Sequence, residues 1–326
     1  FEKQLADYVN SNYAVGVANA TDAMEIFLQA IGLQKGDEII ISTHTMLATA
    51  SAIIANGAIP VPVDIGKDHL IDPNAISDSI TSKTVGIMPT QLNGRTCHMD
   101  EIESIAEKHS LFIVEDAAQA LGSKYKGNFA GTFGLSSCIS FFPAKVLGCF
   151  GDAGAILTND KSLHEKIFQI HDHGRDIDGE IKSWGRNSRL DNLQAAILIH
   201  KLKSYEKVIK RRRVIAEIYH RELENLEHLQ LPPAPDASED HFDIYQNYEL
   251  QADRRDDLLK YLHQKQIGTL IQWGGKAIHQ WDNLGFTQTL PQAEKFFERC
   301  FMLPMNIFLD DDDVYYICEK INEFYQ

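Results

Sequence analysis

This 326-residue sequence predicts an α/β protein: a large domain built on a mostly parallel sheet, followed by a smaller C-terminal α/β domain. Three observations carry the prediction. Short apolar runs alternate with amphipathic helical stretches through the N-terminal part of the chain, the pattern of strands joined by helical crossovers. The Pro-rich segment Leu231-Pro232-Pro233-Ala234-Pro235 separates that region from a second strand–helix–strand pattern. Within the first region, Glu115-Asp116 closes an apolar strand that starts at Leu111, and open parallel sheets bind their ligands at such strand ends.

Taken in order, Phe1 to Asn10 reads as the end of a helix and Tyr13 to Ala18 as a short strand. Thr21 is expected to cap a helix whose apolar face is Ala23, Ile26, Phe27, Ala30 and Ile31, at the spacing of one helical face. Lys35-Gly36-Asp37 turns into the strand Glu38 to Ile41, and a helix over roughly Thr45 to Ala55 ends at Asn56-Gly57. Ile59 to Val63 and Val85 to Met88 are strands, and Ile102, Ile105 and Ala106 mark the next helix. Leu190 to Leu223 reads as one long, kinked helical stretch. After the Pro-rich linker come a strand at Tyr245 to Leu250, a helix at Arg255 to Gln264, a strand at Gly268 to Trp273, and a last helix from about Asp313. The domains therefore divide as 1–205 and 206–326.

The totals exclude several classes of function. A net charge of −15 argues against non-specific binding to nucleic acid or to anionic membrane surfaces. The five cysteines form no CxxC pair and no regular framework, which points to reduced thiols and a cytoplasmic protein. No apolar run reaches the length of a membrane span, and no signal peptide opens the chain. His171 and His173 have H-x-H spacing but lack a third ligand nearby, so no metal site is expected.

Chemistry concentrates in Ser140-Phe141-Phe142-Pro143-Ala144-Lys145, which precedes the glycine-spaced run Gly148 to Gly154. A lysine on the loop after a strand, with an acid at the end of another strand, suits pyridoxal phosphate (PLP). The amine forms a Schiff base with the cofactor aldehyde, and the buried acid keeps the ring nitrogen protonated. A lone lysine would read as a surface residue; its context makes Lys145 the candidate. Ser140, five residues earlier, offers a hydroxyl for the cofactor phosphate. Ala20-Thr21 lies between a strand and a helix N-terminus, where free N–H groups and the helix dipole favour an anion.

These motifs, S-F-x-P-x-K ending at Lys145 and E-D-A-A-Q from Glu115 to Gln119, resemble those of the DegT/DnrJ/EryC1/StrS family of sugar aminotransferases. The resemblance runs along the whole chain and implies PLP fold type I, the aspartate aminotransferase-like fold. It implies that Asp116 faces the pyridine nitrogen, that Ala118 packs on one ring face and that Gln119 hydrogen-bonds the ring hydroxyl. It makes Ser140 with Ala20-Thr21 the phosphate cup. In Thr43-His44-Thr45-Met46 the family's ring-covering aromatic is replaced by Met46, and His44 is a candidate to share that role; core packing is the alternative for both. Asn187, in Arg186-Asn187-Ser188-Arg189, matches an asparagine that reaches the phosphate of a neighbouring subunit, which implies a homodimer with shared sites. Arg189, His279 and His44 are candidate substrate contacts, Arg189 with the alternative of an exposed arginine at a helix start, and His279 in a loop, Trp273 to His279, that otherwise departs from the family's tyrosine and prolines. Family members usually carry a further segment before the position of Phe1, so one is expected here.

The implied reaction moves an amino group from glutamate, through pyridoxamine phosphate, onto a nucleotide-linked keto-sugar. The product would be an amino sugar for a glycan, the O-antigen of lipopolysaccharide, or a natural product. The rivals are an aminotransferase of a cyclitol or other non-nucleotide ketone, a PLP-dependent sugar dehydratase, and a non-catalytic regulatory relative. The dehydratases replace the lysine with histidine, so Lys145 speaks against them. The retained set of Lys145, Asp116, Gln119 and Ser140 speaks against a silent relative.

Overall fold

The computed structural model describes all residues from Phe1 to Gln326. In chain order its first elements are α1 (Glu2–Val9), β1 (Tyr13–Val17), α2 (Ala20–Ala30), β2 (Glu38–Ser42), α3 (Leu47–Ala55), β3 (Ile59–Val63), α4 (Pro73–Asp78), β4 (Thr84–Met88), α5 (Met99–His109) and β5 (Phe112–Asp116). The short pair β6 (Lys124–Tyr125) and β7 (Asn128–Phe129) leads to β8 (Ser136–Ser140), β9 (Gly154–Thr158), α6 (Lys161–His171), α7 (Asn192–Leu202) and α8 (Tyr205–Leu223). The C-terminal region contributes β10 (Leu229–Gln230), β11 (His241–Phe242), β12 (Tyr248–Ala252), α9 (Arg255–Gln264), α10 (Pro291–Arg299), β13 (Cys300–Leu303) and α11 (Asp311–Tyr325).

Seven strands form the central sheet in the order β1-β9-β8-β5-β4-β2-β3. Only β9 runs against its neighbours, so the sheet is mostly parallel, as expected. Its strands read as continuous apolar runs because both faces are covered. Ile39 and Ile41 of β2 enter one core with α2, α3 and α6, whereas Ile40 between them enters a second core with Ile87, Ile102 and Ile113. The carboxyl ends of β2, β4, β5 and β8 therefore share one edge, and the antiparallel β9 brings its first residue, Gly154, to that same edge.

The second sheet is three-stranded and antiparallel, β10-β12-β13, and packs with α8, α9 and α11 around its own core of Tyr219, Tyr248, Leu250, Phe301 and Ile317. Helix α8 serves both regions: Tyr205 and Ile209 pack into the core beneath the large sheet, and Ile215 onward into the C-terminal core.

Several elements differ from expectation. Asn19, not Thr21, caps α2, its side chain accepting from the Asp22 N–H at 2.8 Å, and Ala20 is already helical. The stretch from Leu190 to Leu223 is two helices broken at Lys203-Ser204. Strand β12 starts at Tyr248 because Tyr245 sits in the left-handed region at φ +52°. Gly268 to Trp273 is not a strand; Leu270 alone bridges to Met302, and the chain then coils through Trp273 and Gly274 at φ +48° and +71°. Strand β13 pairs with β12 instead.

Candidate active site

Consecutive residues of a strand point to opposite faces, so the two acids at the end of β5 do different work. Glu115 is fully buried and accepts from Gln91 Nε2 at 2.7 Å, the Gly131 N–H at 2.8 Å and the Phe133 N–H at 2.7 Å. It pins the 129–133 segment. Asp116, 3% exposed, turns to the α3 side, where its Oδ2 accepts from Thr49 Oγ1 at 2.7 Å and its Oδ1 from the Ala118 N–H at 3.2 Å. Thr49 Oγ1 in turn meets Thr45 Oγ1 at 2.8 Å, which meets Thr90 Oγ1 at 2.8 Å. Burial raises the Asp116 pKa; the two donors and the Lys145 charge pull it back. Burial lowers that of Lys145, against the attraction of Asp116. Each group thus feels the other's charge, Asp116 from a buried position and Lys145 from a half-buried one.

Lys145 stands on a tight loop. Its N–H donates to the Phe142 carbonyl at 2.8 Å, and the loop closes back on Gly148, where a Cβ would lie 2.7 Å from both the Phe142 and Pro143 carbonyl oxygens. The glycine is required by that close approach. Lys145, Ser140, Ala118 and Gln119 line one small cavity with Tyr205 and Gln246.

Ser140 pairs with Gly154 across β8 and β9, and a Cβ on Gly154 would lie 2.6 Å from the Asn19 carbonyl carbon and 2.8 Å from the Ala20 nitrogen. The absence of a side chain at 154 lets the N-terminus of α2 close on Ser140. One edge thus gathers an amine, a buried carboxylate, an amide side chain, a hydroxyl and a helix N-terminus.

The other predicted residues lie outside this cluster. His44 is buried, its Nε2 3.3 Å from Glu249, its Nδ1 3.0 Å from the His69 carbonyl, and its ring against Phe296 and Phe297. His279 is also buried, 2.6 Å from Thr43 Oγ1 and 3.2 Å from Glu294. Met46 is 50% exposed and caps α3, its Sδ accepting from the Ala48 N–H. Asn187 is exposed on the segment that bridges back to Asp172, and Arg189 donates to Asp172 at 3.2 Å. Next to Asn187, the buried Ser188 hydroxyl accepts from the Ala18 N–H at 3.2 Å and ties this segment to the end of β1.

Sequence reasoning missed Thr49, whose position one helical turn after Thr45 on the start of α3 was the available signal. It also missed Gln246 and Asn247, which come from a remote part of the chain and carry no local pattern.

Residues 1–322 match the sequence profile of the DegT/DnrJ/EryC1/StrS aminotransferase family. The chain belongs to that family. A Geobacillus stearothermophilus pleiotropic regulatory protein is 38% identical, the match covering 100% of this chain and 88% of that protein. A dTDP-3-amino-3,4,6-trideoxy-alpha-D-glucose transaminase of Streptomyces venezuelae is 33% identical over 99% of this chain and 86% of its own. A UDP-2-acetamido-2-deoxy-3-oxo-D-glucuronate aminotransferase of Pseudomonas aeruginosa is 36% identical over 98% and 88%. The crystal structure of S. venezuelae DesV with a ketimine intermediate superposes with a TM-score of 0.95 at 33% identity, covering 100% of this chain and 88% of that one. That of Bacillus subtilis NtdA with bound pyridoxamine phosphate superposes at 0.90 with 29% identity, covering 99% and 75%. This family aminotransferase is therefore a PLP-dependent enzyme with the type I fold. No helix is long and apolar enough to cross a membrane.

Proposed function

We propose that this family aminotransferase transfers an amino group from glutamate to a nucleotide-linked keto-sugar, in the cytoplasm, for the synthesis of an amino sugar of a glycan, an O-antigen or a natural product. The carrying observation is the half-buried Lys145 on the loop after β8, sharing one cavity with Ser140, Ala118 and Gln119, with the buried Asp116 close enough that each charge acts on the other. The donor set fits PLP. Lys145 is the amine for its aldehyde, Asp116 the carboxylate for its ring nitrogen, Gln119 the partner of its hydroxyl, Ala118 a ring contact, and Ser140 with the Ala20-Thr21 helix start the phosphate donors. When bound, PLP supplies an aldehyde and a ring that takes up electrons. Lys145, its pKa lowered by burial, is the base that would take a proton from the nitrogen-bearing carbon of the amino donor in one half-reaction and deliver one to the corresponding carbon of the acceptor in the other. Thr49 and the Ala118 N–H hold the Asp116 carboxylate in place and favour its charged form. The named nucleotide-sugar aminotransferases among the relatives support the substrate class. A purely regulatory role, suggested by the name of one relative, gives no reason to keep Lys145 beside the buried Asp116.

The reading extends to a homodimer whose sites are shared through Asn187. Phe150, Ile177, Ile181 and Trp184 are 75%, 82%, 65% and 92% exposed, a set of apolar side chains that a second copy would cover. Borohydride reduction and peptide mapping should place a pyridoxyl group on Lys145; a label elsewhere refutes the assignment. Nucleotide-linked keto-sugars offered with glutamate should gain an amino group by mass spectrometry. Co-expression of Lys145→Ala with Asn187→Asp should restore activity in mixed dimers, since one site then carries both defects and the other none. No recovery in verified heterodimers refutes the shared site.

A further inference from the structure

We infer that a four-residue strap of the C-terminal region, Ile244 to Asn247, positions Lys145 and Gln119 together, with Gln246 as the residue that holds the lysine loop. The inference rests on the reading of Lys145 given above. The Gln246 side chain brackets Lys145 on both sides: its Oε1 accepts from the Val146 N–H at 2.9 Å, and its Nε2 donates to the Ala144 carbonyl at 2.9 Å. Gln246 is 7% exposed, so neither bond competes with bulk water. On the other side of the strap, Asn247 Nδ2 donates to Asn93 Oδ1 at 2.7 Å, and the Asn93 N–H donates to Gln119 Oε1 at 2.9 Å. That bond uses the Gln119 oxygen and orients its Nε2 as the remaining donor.

The strap is itself held from below. Arg212 of α8 is buried, with Nε donating to the Tyr245 carbonyl at 2.7 Å and Nη2 to the Gln246 carbonyl at 2.6 Å. This fork stabilises the left-handed backbone of Tyr245, which a tyrosine rarely adopts. Gly94 completes the seat: the Ile244 N–H donates to its carbonyl at 2.9 Å, and a Cβ there would lie 2.5 Å from the Gln246 nitrogen. No other side chain hydrogen-bonds the backbone of residues 144 to 146. Arg212 shares its helix with Tyr205, which lines the Lys145 cavity and donates to the Leu121 carbonyl at 2.6 Å. The C-terminal region therefore sets the geometry of the lysine without touching its amine, and Gln246 is a positioning residue.

The test uses Gln246→Met, which keeps length and volume and removes both bonds. In the cofactor-free protein the Val146 amide should exchange hydrogen about tenfold faster, the effect of losing one net hydrogen bond, while the Phe141 amide, bonded to the Ala153 carbonyl, stays protected. In the loaded protein, the pH midpoint of the visible absorbance of the lysine-bound cofactor should move upward, because a loosened loop admits water to a nitrogen that burial now disfavours as a cation. Gln246→Glu keeps the acceptor for Val146 and loses the donor to Ala144; it should keep the Val146 amide protected, and this exchange readout serves if the methionine variant fails to fold, the midpoint being left out because the added charge raises it directly. Unchanged Val146 exchange with an unchanged midpoint in Gln246→Met overturns the inference. A wild-type protein without a pyridoxyl label on Lys145 would instead overturn the reading beneath it and leave the exchange result standing.

Discussion

Thr49→Val isolates the contribution of a single hydroxyl to the acid of the site. Valine has the same shape at Cβ and leaves Thr45 its contact with Thr90, so the fold of α3 should be kept. The Asp116 carboxylate then loses one of its two donors, the 2.7 Å bond from Thr49, and keeps only the longer one from the Ala118 N–H. A hydrogen bond to a charged group is worth about 1.5–3 kcal/mol. If that is lost from the charged carboxylate where it acts on the cofactor ring, the glutamate half-reaction slows by about 10- to 150-fold. Single-turnover absorbance with glutamate in excess reads the rate directly. Carbon-13 titration of the Asp116 carboxyl in the cofactor-free protein should move to higher pH in the same variant, since a donor that favours the anion is gone. Thr45→Val, which removes no bond to Asp116, should cost distinctly less. A Thr49→Val rate within twofold of wild type with an unmoved titration would refute the argument that this hydroxyl tunes the acid.

Asp116→Asn should keep the shape and lose the charge, reducing transamination by about a thousandfold or more while leaving borohydride labelling of Lys145 intact. Gly154→Ala puts a methyl within 2.6–2.8 Å of the Asn19–Ala20 backbone, so the start of α2 must shift; the fold should lose about 1–3 kcal/mol by urea denaturation, and cofactor affinity in dialysis should fall. Burial pushes the Glu115 carboxyl from 4.5 up to about 8 despite its three donors. Because the folded state holds that proton more tightly than the unfolded chain, the stability it contributes is complete below pH 4.5 and is lost as the pH rises through 8. Glu115→Gln should flatten the fall of the urea midpoint between those limits, at some cost in stability at every pH, and an unchanged slope would show that Glu115 is already ionised.

The alternation of short apolar strands with amphipathic helices was enough to read the mostly parallel sheet, because each signal is local and repeats. The same holds for the motifs around Asp116 and Lys145: an acid at a strand end and a lysine on the next loop are close in sequence to the elements that carry them. Local signals erred where tertiary packing overrides them. Thr21 looks like a cap, but the approach of Gly154 to the Asn19–Ala20 peptide accompanies a helix that starts two residues early, and Asn19 takes the role. Gly268 to Trp273 has the composition of a strand, yet β13 pairs with β12 and the segment turns so that Gln272 donates to Asn93 at 2.9 Å. His44 and His279 read as candidates for contact with ligands, and only the packed structure shows their rings buried against Glu249 and Thr43. Thr49 carries only its spacing from Thr45 and Gln246 carries no motif, because their meaning lies in a partner 67 residues away in one case and 100 and 102 in the other. The sequence by itself singled out Lys145 and Asp116 as candidates and the family they belong to; the fold decided what surrounds and positions them, since burial and hydrogen-bond partners exist only once remote segments meet.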